Sequence, residues 1–141
     1  SAAVFTCKIW SSRTTKLLSA WDTTFLTSMN IAGDCSVVAV GSDTGVLTVH
    51  SLPDGNATTR FHAHHGEIWA VAFSPDQSLL ATCSADQPDA VKLWLTGSWE
   101  FGLSLRGHVS AVLDCAWSPD GSQLVTCGMD RSLRVWRRSA A

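Results

Sequence analysis

The chain has 141 residues, 45% of them hydrophobic, and a formal net charge of −2 at pH 7. This length suits one domain with a packed core. The small net charge gives no general attraction to nucleic acid or to acidic membranes. We find no apolar run of the roughly 20 residues that a membrane helix needs, and we expect no signal peptide at the N-terminus.

The cysteines predict a reducing environment. Cys7, Cys83, Cys115 and Cys127 lie within apolar, strand-like runs, and Cys35 opens another such run. This placement is typical of small buried hydrophobic side chains rather than disulfides. No two cysteines stand at C-x-x-C spacing, so we expect no zinc site. An intracellular protein, cytoplasmic or nuclear, is therefore predicted.

In chain order, four strand endings repeat at nearly even spacing. They fall at positions 10, 50, 94 and 136, so the intervals are 40, 44 and 42 residues. A period of about 40 to 45 residues is typical of a β-propeller blade. The four endings are Ile9-Trp10, Val49-His50, Leu93-Trp94 and Val135-Trp136.

The stretch 63–106 shows the internal pattern of one repeat. We predict strands over 71–73, 79–83, 91–94 and 99–105, with a turn at 74–77. Pro75 fixes φ at the first central position of this turn, and Pro88 interrupts the chain between two later strands. In the matching turn of the last repeat, Gly121 takes a positive φ more easily than Gln77 would. Strands spaced in this way predict an all-β fold.

Several residues of the last repeat together resemble the WD40 repeat. They are the Gly107-His108 pair, the Ser-Pro-Asp-Gly turn at 118–121, Asp130 and Trp136. The resemblance is strong over 107–136 and 63–94, moderate over 24–62 and partial over 4–21. The Asp of the Trp-Asp dipeptide that names the family follows none of the four endings. The resemblance implies an all-β, partial WD40 β-propeller built from four-stranded antiparallel blades.

On this resemblance, residues 1–141 form a single partial propeller. We assign 4–21 to the last two strands of a blade, 24–62 to a degenerate blade, 63–106 to a WD40 blade and 107–138 to a blade without its fourth strand. Typical propellers have 4–8 blades, so a ring needs further blades. We expect them from the rest of a longer chain, with another copy of this chain or a different partner chain as alternatives. In the alternative with a second copy, the strand near 16–21 of one copy could serve as the missing fourth strand of the three-stranded blade 109–137 of the other.

The resemblance also implies a buried hydrogen-bond network in the two best repeats. A His, an Asp and a hydroxyl also invite interpretation as a catalytic triad. The set recurs in each repeat, whereas a nucleophile is needed once, so we favour a structural role and predict no enzyme. Because His50 replaces Trp, we expect 24–62 to lack the network. The network residues are His64, Asp86, Trp94 and Thr82 (or Ser84) in one repeat, and His108, Asp130, Trp136 and Thr126 in the other.

WD40 domains commonly bind proteins through the face that carries two sets of blade loops. The resemblance therefore implies a non-enzymatic scaffold that mediates protein–protein interaction within a multiprotein assembly, with no cofactor, metal or membrane. The candidate binding residues are Asp43, His65, Glu67, Arg106, Met129 and Arg131.

Two other residue groups leave alternatives open. The arginines Arg131, Arg134, Arg137 and Arg138 could contact phosphates of nucleic acid, although a solvated strand edge is the simpler interpretation. The histidines at 62, 64 and 65, beside Glu67, could suggest a metal site, but ordinary loop and strand positions account for them better.

Overall fold

A computed structural model of the protein describes residues 4–139. In this part of the chain the regular structure consists of strands, and no helix long and apolar enough to cross a membrane is found there. The strands are β1 (Val4–Trp10), β2 (Leu17–Thr24), β3 (Leu26–Ile31), β4 (Val37–Ser42), β5 (Val46–Ser51), β6 (Ala57–His62), β7 (Ile68–Phe73), β8 (Leu79–Ser84), β9 (Val91–Leu95), β10 (Glu100–Ser104), β11 (Val112–Trp117), β12 (Gln123–Gly128) and β13 (Leu133–Arg137).

The strands form four antiparallel sheets in which sequence neighbours pair. The first sheet contains β1 and β2, the second β3–β6, the third β7–β10 and the fourth β11–β13. The second and third sheets have four strands each and the fourth has three. This confirms the all-β, partial-propeller fold with four-stranded antiparallel blades. The division of the chain at 21, 62 and 106 stays a prediction, and β2 continues to Thr24, past the first of these boundaries.

The sheets pack face to face through small and branched apolar side chains. Leu47 of the second sheet packs with Ile68, Leu80 and Trp94 of the third. Because successive side chains of a strand point to opposite faces, the third sheet also presents a second apolar face to the fourth. On that face Ala81, Cys83 and Val91 pack against Val112 and Leu124 of the fourth sheet. The third sheet is therefore covered on both sides.

The outward face of the fourth sheet is uncovered. Leu133 and Val135 are 66% and 53% exposed, whereas Val91 and Leu93, which hold the matching places in β9, are 0% and 8% exposed. The fourth sheet packs against β7 and β8 of the third, whereas among residues 4–139 no strand other than β12 makes comparable contact with β13. Large apolar side chains at this level of exposure mark a surface that is made for contact.

The uncovered face corrects one expectation from the sequence. We expected the cysteines to be buried, and Cys7 and Cys83 are, but Cys115 is half-buried and Cys127 and Cys35 are exposed. Cys127 matches Cys83 in the repeat, and its strand has the same apolar character. It is exposed because the sheet that would cover it is not part of this chain's described structure.

Three equivalent hairpin turns require a left-handed residue at the same position. Cys35 and Gln77 each have a φ of 59°, and Gly121 has a φ of 71°. Each donates its backbone N–H to the residue three positions earlier, which for Gln77 is the carbonyl of Ser74 at 2.8 Å. Gln77 adopts a strained φ here, which agrees with the expectation that glycine is the residue best suited to this turn.

We predict that Gln77→Gly stabilises the protein by about 0.5–1 kcal/mol, because glycine adopts the left-handed φ without strain. Glycine also raises the conformational entropy of the unfolded chain, and this opposing effect is smaller. The reverse change, Gly121→Gln, should destabilise by about 1 kcal/mol. A Cβ at Gly121 would lie 3.5 Å from Pro75, so the cost there is conformational rather than steric. Urea unfolding of both variants measures the difference, and equal midpoints would contradict the prediction.

Candidate functional site

The structure brings together the four residues of the network in the fourth sheet. His108 lies in the loop before β11 and is 3% exposed. Its Nε2 is 2.8 Å from Oγ1 of Thr126 on β12, and its Nδ1 is 2.8 Å from the carboxylate of Asp130. Trp136 on β13 donates its indole N–H to the same Thr126 oxygen at 2.9 Å. The network therefore joins β12, β13 and the loop between them to the loop that precedes β11.

The chemistry of these groups fixes the direction of each hydrogen bond. An indole N–H can only donate, so Oγ1 of Thr126 accepts from Trp136 and gives its own proton to Nε2 of His108. The imidazole then carries its proton on Nδ1 and donates it to Asp130. The Asp130 carboxylate, whose side chain is 4% exposed, also accepts from the backbone N–H of Val109 at 3.1 Å. Every buried polar group of the chain of bonds is satisfied.

The third sheet contains the same arrangement with one added hydroxyl. Trp94 donates to Oγ1 of Thr82 at 2.9 Å, and Thr82 lies 2.8 Å from Nε2 of His64. The Nδ1 of His64 is 2.8 Å from Oγ of Ser84 and 3.3 Å from the Asp86 carboxylate. Thr82 and Ser84, offered as alternatives from the sequence, thus both take part, one at each ring nitrogen.

Electrostatics keep the His64 ring neutral. Burial, followed by the positive charge of Lys92, lowers the pKa of His64 to about 4, although Asp86 opposes the shift. The pKa of Asp86 is lowered as well: burial works against its ionisation, but the backbone N–H groups of His65 and Gly66 and the nearby His64 outweigh that effect. The pKa of Asp130 lies far below its usual range, mainly because Ser132 donates to it.

The burial of the hydroxyl groups decides between the structural and the catalytic interpretation. Thr82, Ser84 and Thr126 are each 0% exposed. A nucleophile must reach its substrate, and these oxygens are enclosed between sheets. Each of them also already bridges an imidazole and a second donor. The arrangement can hold a loop against its sheet, but it cannot present an oxygen to a substrate.

The second sheet has a different arrangement at the same place. His50 stands where Trp94 and Trp136 stand in the later repeats, and Val40 replaces the threonine. The Nδ1 of His50 donates to the carbonyl of Gly55 at 2.9 Å, inside its own hairpin. Residues 24–62 thus carry no hydroxyl between an indole and an imidazole.

The predicted binding residues all lie in loops at one end of the strands. Asp43, Met129 and Arg131 are in loops between the second and third strands of a sheet; His65, Glu67 and Arg106 are in loops between sheets. The side chain of His65 is 98% exposed. Glu67 is half-buried, and Arg106 pairs with Asp89 at 2.7 Å.

Sequence reasoning missed Val109, which is 79% exposed in the loop between the third and fourth sheets. The available signal was an apolar residue directly after the Gly107-His108 pair, at a place where His65 stands in the preceding repeat. Met129 lies close to it, since its backbone N–H donates to the carbonyl of Ala111 and Val109 donates to Asp130.

The arginine group does not form one cationic surface. Arg138 is bound to the Asp76 carboxylate at 2.8 Å and to Oγ of Ser78 at 3.2 Å, which ties the end of the fourth sheet to a turn of the third. The Nε atom of Arg134 is buried. Among residues 4–139, Arg131 and Arg137 are the two arginines of this group that are exposed and form no ion pair.

We predict that Thr82→Val and Thr126→Val each destabilise the protein by about 1–3 kcal/mol, because the change keeps the shape and leaves an indole N–H and an imidazole nitrogen without a partner. The exposed Thr14, whose hydroxyl has no described partner, provides the control; Thr14→Val should change stability by less than about 0.5 kcal/mol. Chemical unfolding compares the three variants. Equal effects at positions 126 and 14 would show that the hydroxyl bridge is unimportant.

We also predict a loss of stability in mild acid that depends on His64. The unfolded chain binds this proton near pH 6.5 and the folded chain only near pH 4, so the contribution is complete above pH 6.5 and is lost as the pH falls toward 4. The loss is on the order of 3 kcal/mol at most. Unfolding midpoints measured between pH 7.5 and pH 4 test it; His64→Gln, although less stable, should show a shallower pH dependence, and an unchanged slope would refute the assignment.

Comparison with known proteins agrees with this geometry. The family described as "WD domain, G-beta repeat" matches residues 55–87 and 99–137. WD repeat-containing protein 3 of Homo sapiens is 36% identical over 95 residues, which is 67% of this chain and 10% of that protein. The Target of rapamycin complex subunit LST8 of Rattus norvegicus is 35% identical over 78 residues, 55% of this chain and 22% of that protein.

A third relative is Elongator complex protein 2 of Dictyostelium discoideum, which is 35% identical over 85 residues, 58% of this chain and 9% of that protein. The chain thus spans about a tenth of the length of the first and the third of these relatives. The family match covers half of the chain and includes all the residues of the two hydrogen-bond networks except Trp94, which lies between the two matched segments. The chain belongs to the WD40 repeat family.

Proposed function

We propose that the chain is a non-enzymatic scaffold that binds a protein through the rim formed by Val109, Met129 and Arg131. WD40 repeats and WD-repeat relatives support a protein-interaction role in general. Two of the relatives carry the names of complex subunits, Elongator complex protein 2 and Target of rapamycin complex subunit LST8. The free cysteines agree with a place inside the cell, in the cytoplasm or the nucleus.

The observation that carries the proposal is the exposure of two neighbouring apolar side chains. Val109 is 79% and Met129 is 63% exposed. Their equivalents in the preceding repeat, His65 and Ala85, are also exposed, although the fourth sheet covers the third. Packing of a further sheet would therefore leave Val109 and Met129 open, unlike Leu133 and Val135. Exposed apolar side chains that a neighbouring sheet does not cover fit a binding role.

The charges around these two side chains indicate the kind of partner. Arg131 follows Asp130 in the same loop, is exposed, and has no carboxylate within ion-pair distance among residues 4–139. Methionine adapts its shape to a contact, and arginine pairs well with carboxylates. The rim therefore suits a protein segment that presents an apolar side chain next to an acidic one.

We predict that the double change Val109→Asp with Met129→Asp removes partner binding and leaves the melting temperature unchanged, since both side chains are exposed. Affinity capture from cell extract identifies the partner, and titration of that partner should show at least a tenfold loss of affinity, about 1.4 kcal/mol. Thr14→Asp adds the same type of charge elsewhere and should bind normally. Retention of full affinity by the double variant would exclude this rim as the binding surface.

We also propose that further blades complete the propeller beyond the fourth sheet. In the third sheet, β10 pairs with β9 and places Phe101 against Trp94 at a ring distance of 5.7 Å. The fourth sheet has no described strand at the matching edge of β13, and its outward face is apolar. An unpaired edge and an uncovered face invite association. We favour further blades of a longer chain as the occupant, with a second copy of this chain as the alternative.

We predict that the chain alone binds a hydrophobic dye and that a longer version carrying further repeats is monomeric with less dye binding. Light scattering and dye fluorescence measure both. If the chain alone forms a discrete dimer and the Leu133→Asp variant does not, the result would instead support association of two copies. Normal partner binding by Leu133→Asp would separate this face from the rim.

A further inference from the structure

An apolar cavity of about 280 Å³ lies between the third and fourth sheets, beside β13. Its walls include Leu93 and Leu103 of the third sheet and Trp117, Leu124 and Trp136 of the fourth. Apolar cavities of about 150 Å³ already hold a benzene ring. The space is therefore large enough for an aromatic side chain.

The junction between the second and third sheets shows what occupies the matching space. Trp99, in the turn between β9 and β10, packs on Phe73 with the ring centroids 6.4 Å apart. Phe61 of β6 packs on Trp94 with the ring centroids 4.8 Å apart. Phe73 and Trp94 are 9% and 7% exposed, so aromatic rings fill this part of the junction.

The next junction, between the third and fourth sheets, lacks these aromatic side chains. Leu105 holds the place of Phe61 in the repeat and has a smaller side chain. The place of Trp99 falls outside the described residues. The two tryptophans of the cavity wall are therefore half-buried, whereas their counterparts in the third sheet are buried.

The backbone of Trp99 is strained at this place. Trp99 has a φ of 58°, and Gly55 has a φ of 75° at the same position of the preceding hairpin. Each donates its backbone N–H to the carbonyl of the residue four positions earlier. A tryptophan in the left-handed region carries a cost that glycine avoids, so the contact of its indole with Phe73 has to offset that cost. The filled space therefore contributes to the stability of the junction.

Strand register shows how an aromatic ring would reach the cavity. In the third sheet, β10 places Phe101 opposite Trp94 and Glu100 opposite the residue after it. In the fourth sheet, Trp136 and Arg137 hold the same two places on β13. This edge of β13 has no partner strand among residues 4–139, and Arg137 is exposed and forms no ion pair there. A strand added to β13 would therefore meet a tryptophan and an unpaired cation.

We propose that β13 is extended by a strand with the pattern aromatic, acidic, aromatic. The first ring enters the cavity beside Trp117, and the second lies opposite Trp136. The acidic residue lies opposite Arg137 and forms an ion pair across the strands. In this chain β10 and the turn before it show the same pattern, at 99–101. The strand is part of the further blades beyond the fourth sheet, so this inference rests on that proposal.

The test uses the full chain, labelled with nitrogen-15, and a synthetic peptide that copies residues 97–105. The peptide should shift the indole N–H signals of Trp117 and Trp136 in a saturable way. A peptide with alanine at both aromatic positions should bind at least about tenfold more weakly. A peptide with lysine in place of the glutamate should also bind more weakly, because its charge repels Arg137.

Variants of the chain make the test specific. Leu103, which is 48% exposed, lies at the cavity wall, so Leu103→Trp should fill part of the space and weaken peptide binding at least about tenfold. Leu18→Trp makes the same change at a strand position that is 54% exposed and outside the cavity, and should bind normally. The double variant Val109→Asp with Met129→Asp should also bind normally, which separates this site from the rim.

The absence of saturable shifts at millimolar peptide, or equal binding by the alanine peptide, would overturn the proposal. Shifts of the two indole signals that depend on chain concentration without peptide would show that a second copy fills the cavity, which would also overturn it. A longer chain that is monomeric and binds less dye would in either case retain the further blades and reject only the strand pattern.

Discussion

The hydroxyl of a buried threonine, held between an indole and an imidazole, is the contact on which both complete hydrogen-bond networks depend. It joins the middle strand of a sheet to the third strand and to the loop that enters the sheet. Because the imidazole must be neutral to accept from the threonine, burial, which disfavours the charged ring, favours this contact, and in the third sheet it outweighs the opposing effect of Asp86 on the pKa of His64. The rim that we propose as the binding surface begins directly beside this network, since Val109 and Met129 flank the His108–Asp130 pair. A fixed network thereby holds a flexible methionine and an exposed arginine in defined positions.

Much of the fold could be predicted from the sequence because each repeat carries its own local sequence patterns. Turn residues, apolar strands and the even spacing of the endings together predict the number and order of the strands. The residues of the two networks could be named for the same reason: their types and spacings recur. Because each sheet packs on its neighbour in the same way, residues at matching positions of the two repeats make the same contacts.

Other features depend on contacts that no local pattern reports. Cys83 and Cys127 occupy matching positions in equally apolar strands, yet only one is covered, so their exposure could not be predicted from either strand. Gln77 adopts a left-handed φ because the hairpin on either side imposes it. The second sheet shows the limit most clearly. A histidine in place of a tryptophan signals a missing network, but the bond of His50 to the carbonyl of Gly55 depends on how its own hairpin folds, which no single residue type predicts.

The packing of each sheet only on its neighbours has a consequence for the dynamics of the chain. In such a linear stack, local stability is set by how many neighbours a unit has. The third sheet is covered on both faces and is pinned at one turn by Arg138, whereas the first sheet has two strands and the fourth has one open face. Amide protons should therefore exchange slowest in β7–β9 and progressively faster toward either end, so that the chain opens from its ends inward.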